Sequence, residues 1–480
     1  MYRLRSTWPK ARHRNEGQCY ERISAIKREN MIRNCLMSFD NIIQRHFLGI
    51  KDLFKAPHMS LLRVSRASKI LPFSYRCLST TETSKDLSNY LKAKISLSGP
   101  ITVADYMRTV LTHPTSGYYM HKDVFGVAGD FITSPEISQI FGELLGVWCV
   151  NEWMQCGKPS KMQVVELGPG RGTLAYDLLR VFCQFPQMKD VVTLNLVEVS
   201  SKMSSLQYEK LVGPHQLSDS ANKATPKLDS NNSLAYNHGI SKFSIPVNWY
   251  YKLEDIPSDF TCYIAHEFFD VLPVHKFQKT ERGWREVLVD LNLDLSSPND
   301  FKFTVSKSPT PASVCFQVDE NDNRDHIEMS FESGAIIETL SHRIAENGGF
   351  ALIADYGHNG EKMDTLRGFF KHQVQSDVFL NPGFADLTAD VDFKYISKVA
   401  SNYVDIFGPT TQGSFLQNMG IGVRLKVLLQ NVKSELHKDL ISGCKMLIDP
   451  EQMGERYKFM SFLQKTEKDY TPAGFYSLGN

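Results

Sequence analysis

The chain has 480 residues, of which 42% are hydrophobic and 22% are charged, and its formal net charge is +1. These values are ordinary for a globular protein of about three domains, or of one core with large insertions. The near-neutral charge does not indicate broad attraction to nucleic acid or membranes, and no apolar run approaches the roughly 20 residues that cross a bilayer. The nine cysteines show no C-x-x-C spacing, so neither a metal site nor a disulfide framework is expected.

Residues 1–85 are predicted to be a basic N-terminal extension. The stretch from Met59 to Thr81 has no acidic residue and is rich in Arg, Ser and apolar side chains, which is typical of a mitochondrial transit peptide. Arg76-Cys77-Leu78-Ser79 resembles a processing site, with cleavage near Ser79. We expect translation to begin at Met59, with residues 1–58 a gene-model extension or a poorly ordered arm. A disordered basic tail is the alternative.

Residues 86–158 are predicted to be an N-terminal helical segment. One helix is expected from Val103 to Leu111. A second is expected to begin with Ser134 as its N-cap and Pro135 in its first turn, and to end at Gly157. Its apolar residues recur at helical spacing from 137 to 150, and this stripe is expected to be core.

Residues 159–480 are predicted to form one domain in which strands and helices alternate. Core strands are expected at 163–167, 192–198, 247–251, 261–265 and 351–354, and helices at 173–183, 201–212 and 334–346. The polar stretch 213–241 is expected to be a mobile surface insertion. Residues 274–333 are expected to be a β-extension between core strands four and five, with a hairpin turn at Arg282-Gly283. The C-terminal portion shows helical patterns near 392–402, 413–418 and 422–433.

The most informative segment is VVELGPGRGTL, residues 164–174. A strand, a turn containing Gly168, Gly170 and Gly172, and a helix start form a nucleotide cradle, because glycine permits close backbone approach and the helix N-terminus offers free N–H groups. A turn that only packs helix on strand is the alternative. Glu198, at the end of the next strand, is placed to accept both hydroxyls of a ribose.

Two residues favour S-adenosylmethionine over a dinucleotide as the ligand. Thr173 stands where a dinucleotide fingerprint has its last glycine. Glu166 lies directly before the turn, where its charge would repel a diphosphate and attract a sulfonium with an amino-acid tail. A dehydrogenase is therefore disfavoured.

The segment AHEFFD, residues 265–270, carries the candidate catalytic residues His266, Glu267 and Asp270. It follows the fourth strand, and ligands in open α/β sheets bind at the carboxyl ends of the strands. It therefore places one imidazole and two carboxylates just past that strand, with His266 a candidate proton acceptor, although the proton could simply leave to water. The alternative is that Glu267 and Asp270 only cap the following helix.

Eleven segments together resemble the MidA family of mitochondrial complex I assembly factors. The resemblance covers about Ser98 to Tyr457, and its motifs are SGYYM, GDFITSPEISQIFGELLG, VVELGPGRGTL, LVEVS, AHEFFDVLPVHKFQKT, GWREV, ADYGH, DTLRGF, ADLTADVDF, FLQNMGI and DPEQMGERY. The three glycines match that family's cofactor loop residue by residue. The resemblance implies an α/β, Rossmann-like S-adenosylmethionine-dependent methyltransferase sheet.

What the resemblance implies about function is specific. It implies symmetric dimethylation of an arginine on the 49-kDa core subunit of NADH:ubiquinone oxidoreductase, in the mitochondrial matrix, during complex I assembly. A homodimer is compatible with the sequence, and no nucleic-acid module stands out. Two alternatives stay open: an assembly chaperone whose cofactor pocket is only structural, and a methyltransferase that acts on another substrate.

Overall fold

The computed structural model describes residues 80–121, 133–213 and 234–476, except positions 295, 298, 317, 319–321, 372 and 468. The predicted transit peptide and most of the predicted 213–241 insertion lie outside the described residues.

Seventeen strands occur in the described part of the chain. In chain order they are β1 (Ile101–Thr102), β2 (Met162–Leu167), β3 (Val192–Val197), β4 (Asn237–Ile240), β5 (Pro246–Tyr250), β6 (Thr261–His266), β7 (His275–Thr280), β8 (Gly283–Leu291), β9 (Phe301–Val305), β10 (His326–Met329), β11 (Gly349–His358), β12 (Arg367–Phe370), β13 (Gln373–Gln375), β14 (Asp386–Thr388), β15 (Val391–Asp392), β16 (Val404–Thr411) and β17 (Tyr457–Gln464).

The helices of the same described ranges include several of only one turn. They are α1 (Thr80–Ser98), α2 (Val103–Thr112), α3 (Tyr118–His121), α4 (Ser134–Ile137), α5 (Gln139–Gln155), α6 (Thr173–Phe182), α7 (Pro186–Lys189), α8 (Ser201–Leu211), α9 (Pro311–Cys315), α10 (Phe331–Asn347), α11 (Phe393–Ala400), α12 (Gln412–Asn418), α13 (Ile421–Asn431) and α14 (His437–Ile448).

The central sheet has the order β16-β17-β11-β6-β2-β3-β5-β4, with β15 beside the end of β11. The five strands from β11 to β5 are parallel, as their apolar runs predicted. Val164 and Val165 are both fully buried, one in the hydrophobic core on each face of the sheet. This is the predicted Rossmann-like arrangement. The chain runs outward from β2 through β3 to β5 and then returns to β6, so the turns after β2 and β6 adjoin at the topological switch point.

Two smaller sheets complete the fold. The predicted β-extension is a five-stranded antiparallel sheet, β1-β8-β7-β10 with β9 beside β8. Its β7–β8 hairpin pairs Thr280 with Gly283, so Glu281 and Arg282 form the turn. Strand β1 pairs Ile101 with Val289, which ties the N-terminal helical segment to this extension. The third sheet, β13-β12-β14, had no counterpart in the sequence analysis.

Three sequence expectations were wrong in detail. The helix expected from Ser134 to Gly157 is two helices, because Ser138 is extended (φ −151°, ψ 124°) and its side chain accepts the N–H of Ile140 to start α5. Thr133, not Ser134, is the N-cap of α4. Residues 237–240 of the predicted mobile insertion form β4, an edge strand on β5; an edge strand needs few buried side chains, so the polar composition hid it.

The C-terminal portion is also more than helical. Helices α11, α12 and α13 lie close to their predicted positions, but β16 and β17 lie between and after them. Strand β17 pairs with β11 antiparallel over seven residues, from Phe350 opposite Leu463 to Tyr356 opposite Tyr457. This pairing brings Tyr457 to the carboxyl edge of the parallel strands.

Candidate active site

A cavity of about 460 Å³ opens at the carboxyl edge of the parallel strands. Its lining comes from α2, α3, α8 and α10, from the turns after β2, β3, β5 and β6, and from β11, β12, β14 and β17. Ligands of open α/β sheets bind in this position. The cavity is therefore the candidate active site.

Two groups of lining residues differ in chemistry. The first, which we call the glycine-loop wall, consists of Gly168, Gly170 and Glu198. The second, which we call the carboxylate wall, consists of Glu267, Asp270 and Asp386.

Gly168 and Gly170 bring the backbone to the cavity. Their φ angles are 61° and 52°, a left-handed conformation that L residues with a Cβ rarely adopt. A Cβ on Gly168 would lie 2.8 Å from the Phe268 ring. The predicted cradle is therefore present, with bare backbone facing the cavity at both positions.

Gly172 has a different role from the other two glycines, because it does not line the cavity in the described structure. It is the N-cap of α6 with φ 74° and ψ 24°. A Cβ there would lie 3.4 Å from Gln207 Cγ. Gly172 shapes the turn and permits the packing of α6 on α8.

Glu198 lies at the end of β3 and lines the cavity, as predicted. One carboxylate oxygen accepts the N–H of Ser200 at 2.7 Å and the other accepts Gln207 Nε2 at 2.9 Å. Burial raises the pKa of Glu198 to about 7, while these two donors act in the opposite direction. The backbone N–H of Val199 is a third donor to this carboxylate. Since a carboxylate has about four acceptor sites, Glu198 can still accept a hydroxyl from a ligand.

Glu166 is not among the described residues that line the cavity. It is buried, and its Oε2 has no hydrogen-bond partner among the described residues. Burial raises the pKa of Glu166 to about 8, and the ammonium group of Lys210 opposes this shift. Side chains alternate along a strand, so Glu166 shares the face of Val164 rather than that of Leu167, which lines the cavity.

The structure brings Glu267 and Asp270 together in the cavity lining, as predicted. Glu267 has φ 50°, an uncommon angle for a residue with a side chain and one that clusters at functional sites. Its Oε1 accepts the hydroxyl of Tyr457 at 3.0 Å. Asp270 is buried, and its Oδ1 has no hydrogen-bond partner among the described residues. A buried acceptor of this kind is costly unless a donor reaches it.

The electrostatics of these two carboxylates are unusual. Burial, followed by the repulsion of Asp270, raises the pKa of Glu267 to about 8. Burial also raises the pKa of Asp270 to about 7, against the attraction of Arg367. Both carboxylates would be stabilised by a cation placed between them, since a nearby positive charge favours the ionised form.

His266, the predicted proton acceptor, does not line the cavity in the described structure. Its ring packs against Phe141, with ring centroids 5.0 Å apart, and Nε2 lies 3.4 Å from Glu267 Oε1 without hydrogen-bond geometry. Burial lowers the pKa of His266 to about 3. A group with so low a pKa is a poor base near neutrality.

The sequence analysis missed residues that the fold adds to the cavity. Asp386, on β14, accepts the hydroxyl of Tyr119 at 2.7 Å, and both residues line the cavity with Tyr457. These residues come from α3, β14 and β17, three segments far apart in the chain. Each of them lies in a motif quoted for the resemblance, SGYYM, ADLTADVDF or DPEQMGERY, but no local pattern shows that they meet at one cavity, so only the tertiary structure assigns them to it.

The described residues contain neither a metal-binding cluster nor a membrane-spanning helix. No group of three or more His, Cys, Asp or Glu side chains in the described ranges is close enough to hold a metal ion. Among the described helices, none combines the length and apolar character needed to cross a membrane.

The chain is similar to proteins of known family. Residues 144–410 match the family model described as "Putative S-adenosyl-L-methionine-dependent methyltransferase". The mitochondrial protein arginine methyltransferase NDUFAF7 of Rattus norvegicus is 52% identical over 377 residues, which cover 78% of this chain and 83% of the relative. The protein of the same name from Homo sapiens is 50% identical over 378 residues, covering 78% and 82%. The Drosophila melanogaster homologue is 45% identical over 379 residues, covering 78% and 84%.

A solved structure shares the fold. It is a protein from Burkholderia thailandensis crystallised with bound S-adenosyl-homocysteine, and it superposes with a TM-score of 0.63. The two chains are 23% identical, and the superposition covers 85% of this chain and 96% of the other.

Proposed function

The chain belongs to this family of S-adenosyl-L-methionine-dependent methyltransferases, and from that premise we propose that it methylates arginine side chains of a protein substrate in mitochondria. The observation that carries the proposal is the pair Glu267 and Asp270, one partly buried and one buried carboxylate that line the same cavity as the glycine loop. The names of the relatives, which are mitochondrial arginine methyltransferases, support the same substrate class.

The glycine-loop wall fits S-adenosylmethionine, which supplies an activated methyl group on a sulfonium. Gly170, with φ 52°, leaves space where a Cβ would otherwise stand, so a ligand can approach the backbone closely. Glu198 would accept the ribose hydroxyls in charge-assisted hydrogen bonds. Glu166 was predicted to attract the cationic end of the ligand, but it does not line the cavity and burial raises its pKa to about 8, so it is given no direct role in binding.

The carboxylate wall fits a guanidinium. A guanidinium is planar and stays protonated near neutrality, so it is a weak nucleophile until its charge is drawn to one side. Glu267 and Asp270 would each accept N–H groups from it, and Asp270 Oδ1 would gain the donor that it lacks among the described residues. Holding the plane in this way orients the remaining nitrogen toward the methyl group.

The reaction releases one proton, because the new N–C bond forms as the C–S bond breaks with its electron pair to sulfur, and the attacking nitrogen then gives up a hydrogen. Glu267 is the residue that we assign to receive it. Its raised pKa, about 8, makes it a better acceptor than an ordinary carboxylate. His266 is given a packing role instead, because its pKa is lowered to about 3.

The proposed reaction has a specific product and a specific protein substrate. We infer symmetric dimethylation of an arginine on the 49-kDa core subunit of NADH:ubiquinone oxidoreductase, during complex I assembly. The support is the density of motifs that resemble the MidA family, from Ser98 to Tyr457.

The test is methyl transfer from labelled S-adenosylmethionine to the purified core subunit. We expect label on arginine, symmetric dimethylarginine by mass spectrometry, and loss of label when the acceptor arginine is changed to lysine. Tight cofactor binding without transfer would favour the assembly chaperone instead. Transfer to other proteins but not to this subunit would leave arginine methylation standing and overturn the named substrate.

We also propose that the protein acts in the mitochondrial matrix. The acid-free stretch from Met59 to Thr81 supports this, because basic, amphipathic, acid-free segments direct import. A reporter fused to residues 59–78 should enter mitochondria and resist protease after the outer membrane is opened. A reporter that stays in the cytosol would contradict the assignment.

A further inference from the structure

The turn that carries Glu267 and Asp270 is held by one buried side chain, Asp355. Asp355 lies near the end of β11, is fully buried, and is not among the described residues that line the cavity. Its Oδ2 accepts the backbone N–H of Phe268 at 3.1 Å, of Phe269 at 2.8 Å and of Asp270 at 3.4 Å. Three consecutive N–H groups therefore converge on one oxygen atom.

This arrangement begins where the parallel pairing of β6 and β11 ends. Ala354 is opposite His266, and the N–H of Glu267 still donates to the carbonyl of Ala354 at 3.0 Å. The left-handed φ of Glu267 then turns the chain away from the sheet. A residue in such a conformation persists only when its surroundings hold it. The hydrogen bonds from the next three backbone N–H groups to Asp355 stabilise this conformation of Glu267.

Asp355 also fixes a second part of the cavity. Its Oδ1 accepts the N–H of Tyr356 at 2.9 Å, and Tyr356 lines the cavity and packs on Tyr457 with ring centroids 4.0 Å apart. Tyr457 in turn donates to Glu267. One carboxylate thus constrains both the backbone of the turn and the tyrosine pair that contacts Glu267.

We propose that Asp355 is the positioning residue of the active site, which sets the separation and direction of the Glu267 and Asp270 carboxylates without touching the substrate. The expected effect on kcat rests on the proposed function. The expected effect on the backbone of the turn does not. If Asp355 acts in this way, its loss changes the placement of two reacting groups while the glycine-loop wall keeps its geometry.

Asp355→Asn is the sharpest variant. The amide has nearly the same shape, but one acceptor oxygen is replaced by an N–H₂ donor. Whichever way the amide is oriented, that donor faces either the N–H groups of the turn or the N–H of Tyr356. The matched control is Glu143→Gln, which also removes a buried carboxylate. Glu143 pairs with Arg424 at 2.7 Å and Arg180 at 3.1 Å, on helices that do not line the cavity.

The kinetic arm compares turnover with cofactor affinity. We expect Asp355→Asn to lower kcat by about 10- to 100-fold, the scale of a roughly 1 Å misplacement of reacting groups, with the Kd for S-adenosylmethionine changed by less than about threefold. Glu143→Gln should lower the melting temperature and leave kcat close to that of the wild type. In a Glu267→Gln, Asp270→Asn background, Asp355→Asn should cause little further loss, because residues that act as a unit are not additive. A full independent loss in that background would overturn the proposal.

The structural arm needs no acceptor. Amide hydrogen exchange of residues 267–270 should become faster in Asp355→Asn than in the wild type, and unchanged in Glu143→Gln. Unchanged protection of this turn in Asp355→Asn overturns the positioning role, whatever the substrate is. If the wild type transfers no methyl group to arginine, the proposed function fails, and this exchange measurement still decides the role of Asp355.

Discussion

The glycine-loop wall and the carboxylate wall are assembled in different ways. Gly168, Gly170 and Glu198 come from two consecutive strand–turn units, and their main-chain geometry places them. The carboxylate wall joins the turn after β6 to β14, and its tyrosine partners come from α3 and β17. A site of the first kind depends on local conformation, whereas a site of the second kind depends on tertiary contacts. Substitutions in the two walls should therefore separate ligand binding from turnover.

The largest expected effect is at Gly170. Gly170→Val should abolish binding of S-adenosylmethionine, because a β-branched side chain resists φ 52° and would be added at a residue that lines the cavity. Calorimetry on the folded variant measures this. Gly157→Val is the matched control, since Gly157 also has positive φ but a Cβ there would meet nothing within 4 Å. Near-normal affinity in Gly170→Val would show that the glycine-loop wall does not bind S-adenosylmethionine.

Glu267→Gln should show the opposite behaviour. The amide keeps the shape but not the charge, so turnover should fall by about 10²-fold or more, the scale of losing one electrostatic stabiliser. Cofactor affinity should persist. Full turnover in this variant would return Glu267 to the role of a helix cap.

The pH dependence gives a check on the same residue. The pKa of Glu267 is raised to about 8, so the wild-type kcat/KM should increase as pH rises toward 8 and the carboxylate loses its proton. In Glu267→Gln the ascending limb should shift to lower pH, toward the pKa of about 7 of the remaining carboxylate, Asp270. The raised pKa also means that the folded state binds a proton more tightly than the unfolded state. The contribution of Glu267 to the free energy of unfolding therefore decreases as pH rises from 4.5, its ordinary pKa, to about 8, its pKa in the folded state.

Glu198→Ala should mainly weaken binding. Loss of charge-assisted hydrogen bonds of about 1.5–3 kcal/mol corresponds to roughly 10- to 100-fold in Kd. Its rate at saturating cofactor should largely recover, because the ribose lies away from the reacting methyl group. A low rate that saturation does not restore would mean that the two walls are not separable at Glu198.

The smallest effect is expected at His266. His266→Gln should change kcat by less than about fivefold, because the ring does not line the cavity and is a poor base. A loss as large as that of Glu267→Gln would show that the original assignment of His266 as proton acceptor was right.

The same difference between the two walls explains which of their residues could be predicted from the sequence. The run from Val164 to Thr173 carries strand, turn and helix signals in one window, and Glu198 follows the next apolar run, so both were predictable. Asp386 and Tyr119 lie in the motifs ADLTADVDF and SGYYM, but neither motif shows that the two side chains meet, because their contact depends on how β14 and α3 pack across the edge of the sheet. The hydrogen bonds of Asp355 to the turn depend on the register of β6 and β11, which no local pattern reveals.

Errors in the predicted elements had equally local causes. The apolar stripe from Ile137 to Val150 is continuous in the sequence, and it does not reveal that Ser138 is extended and restarts the helix. For His266, the position at the end of β6 was predictable from the sequence. The direction of its side chain was not, because the ring packs against Phe141 and does not line the cavity in the described structure.

The proposed chemistry depends above all on the binding of a guanidinium cation by the carboxylate wall. The most direct measurement is the affinity of an arginine peptide that the wild type methylates, compared with the same peptide carrying citrulline, in the presence of S-adenosylhomocysteine. Citrulline keeps the planar shape without the charge. We predict that the arginine peptide binds at least about tenfold more tightly, and that Asp270→Asn combined with Glu267→Gln removes the preference. Equal binding of the two peptides to the wild type would show that the carboxylate wall does not recognise the charge of the guanidinium.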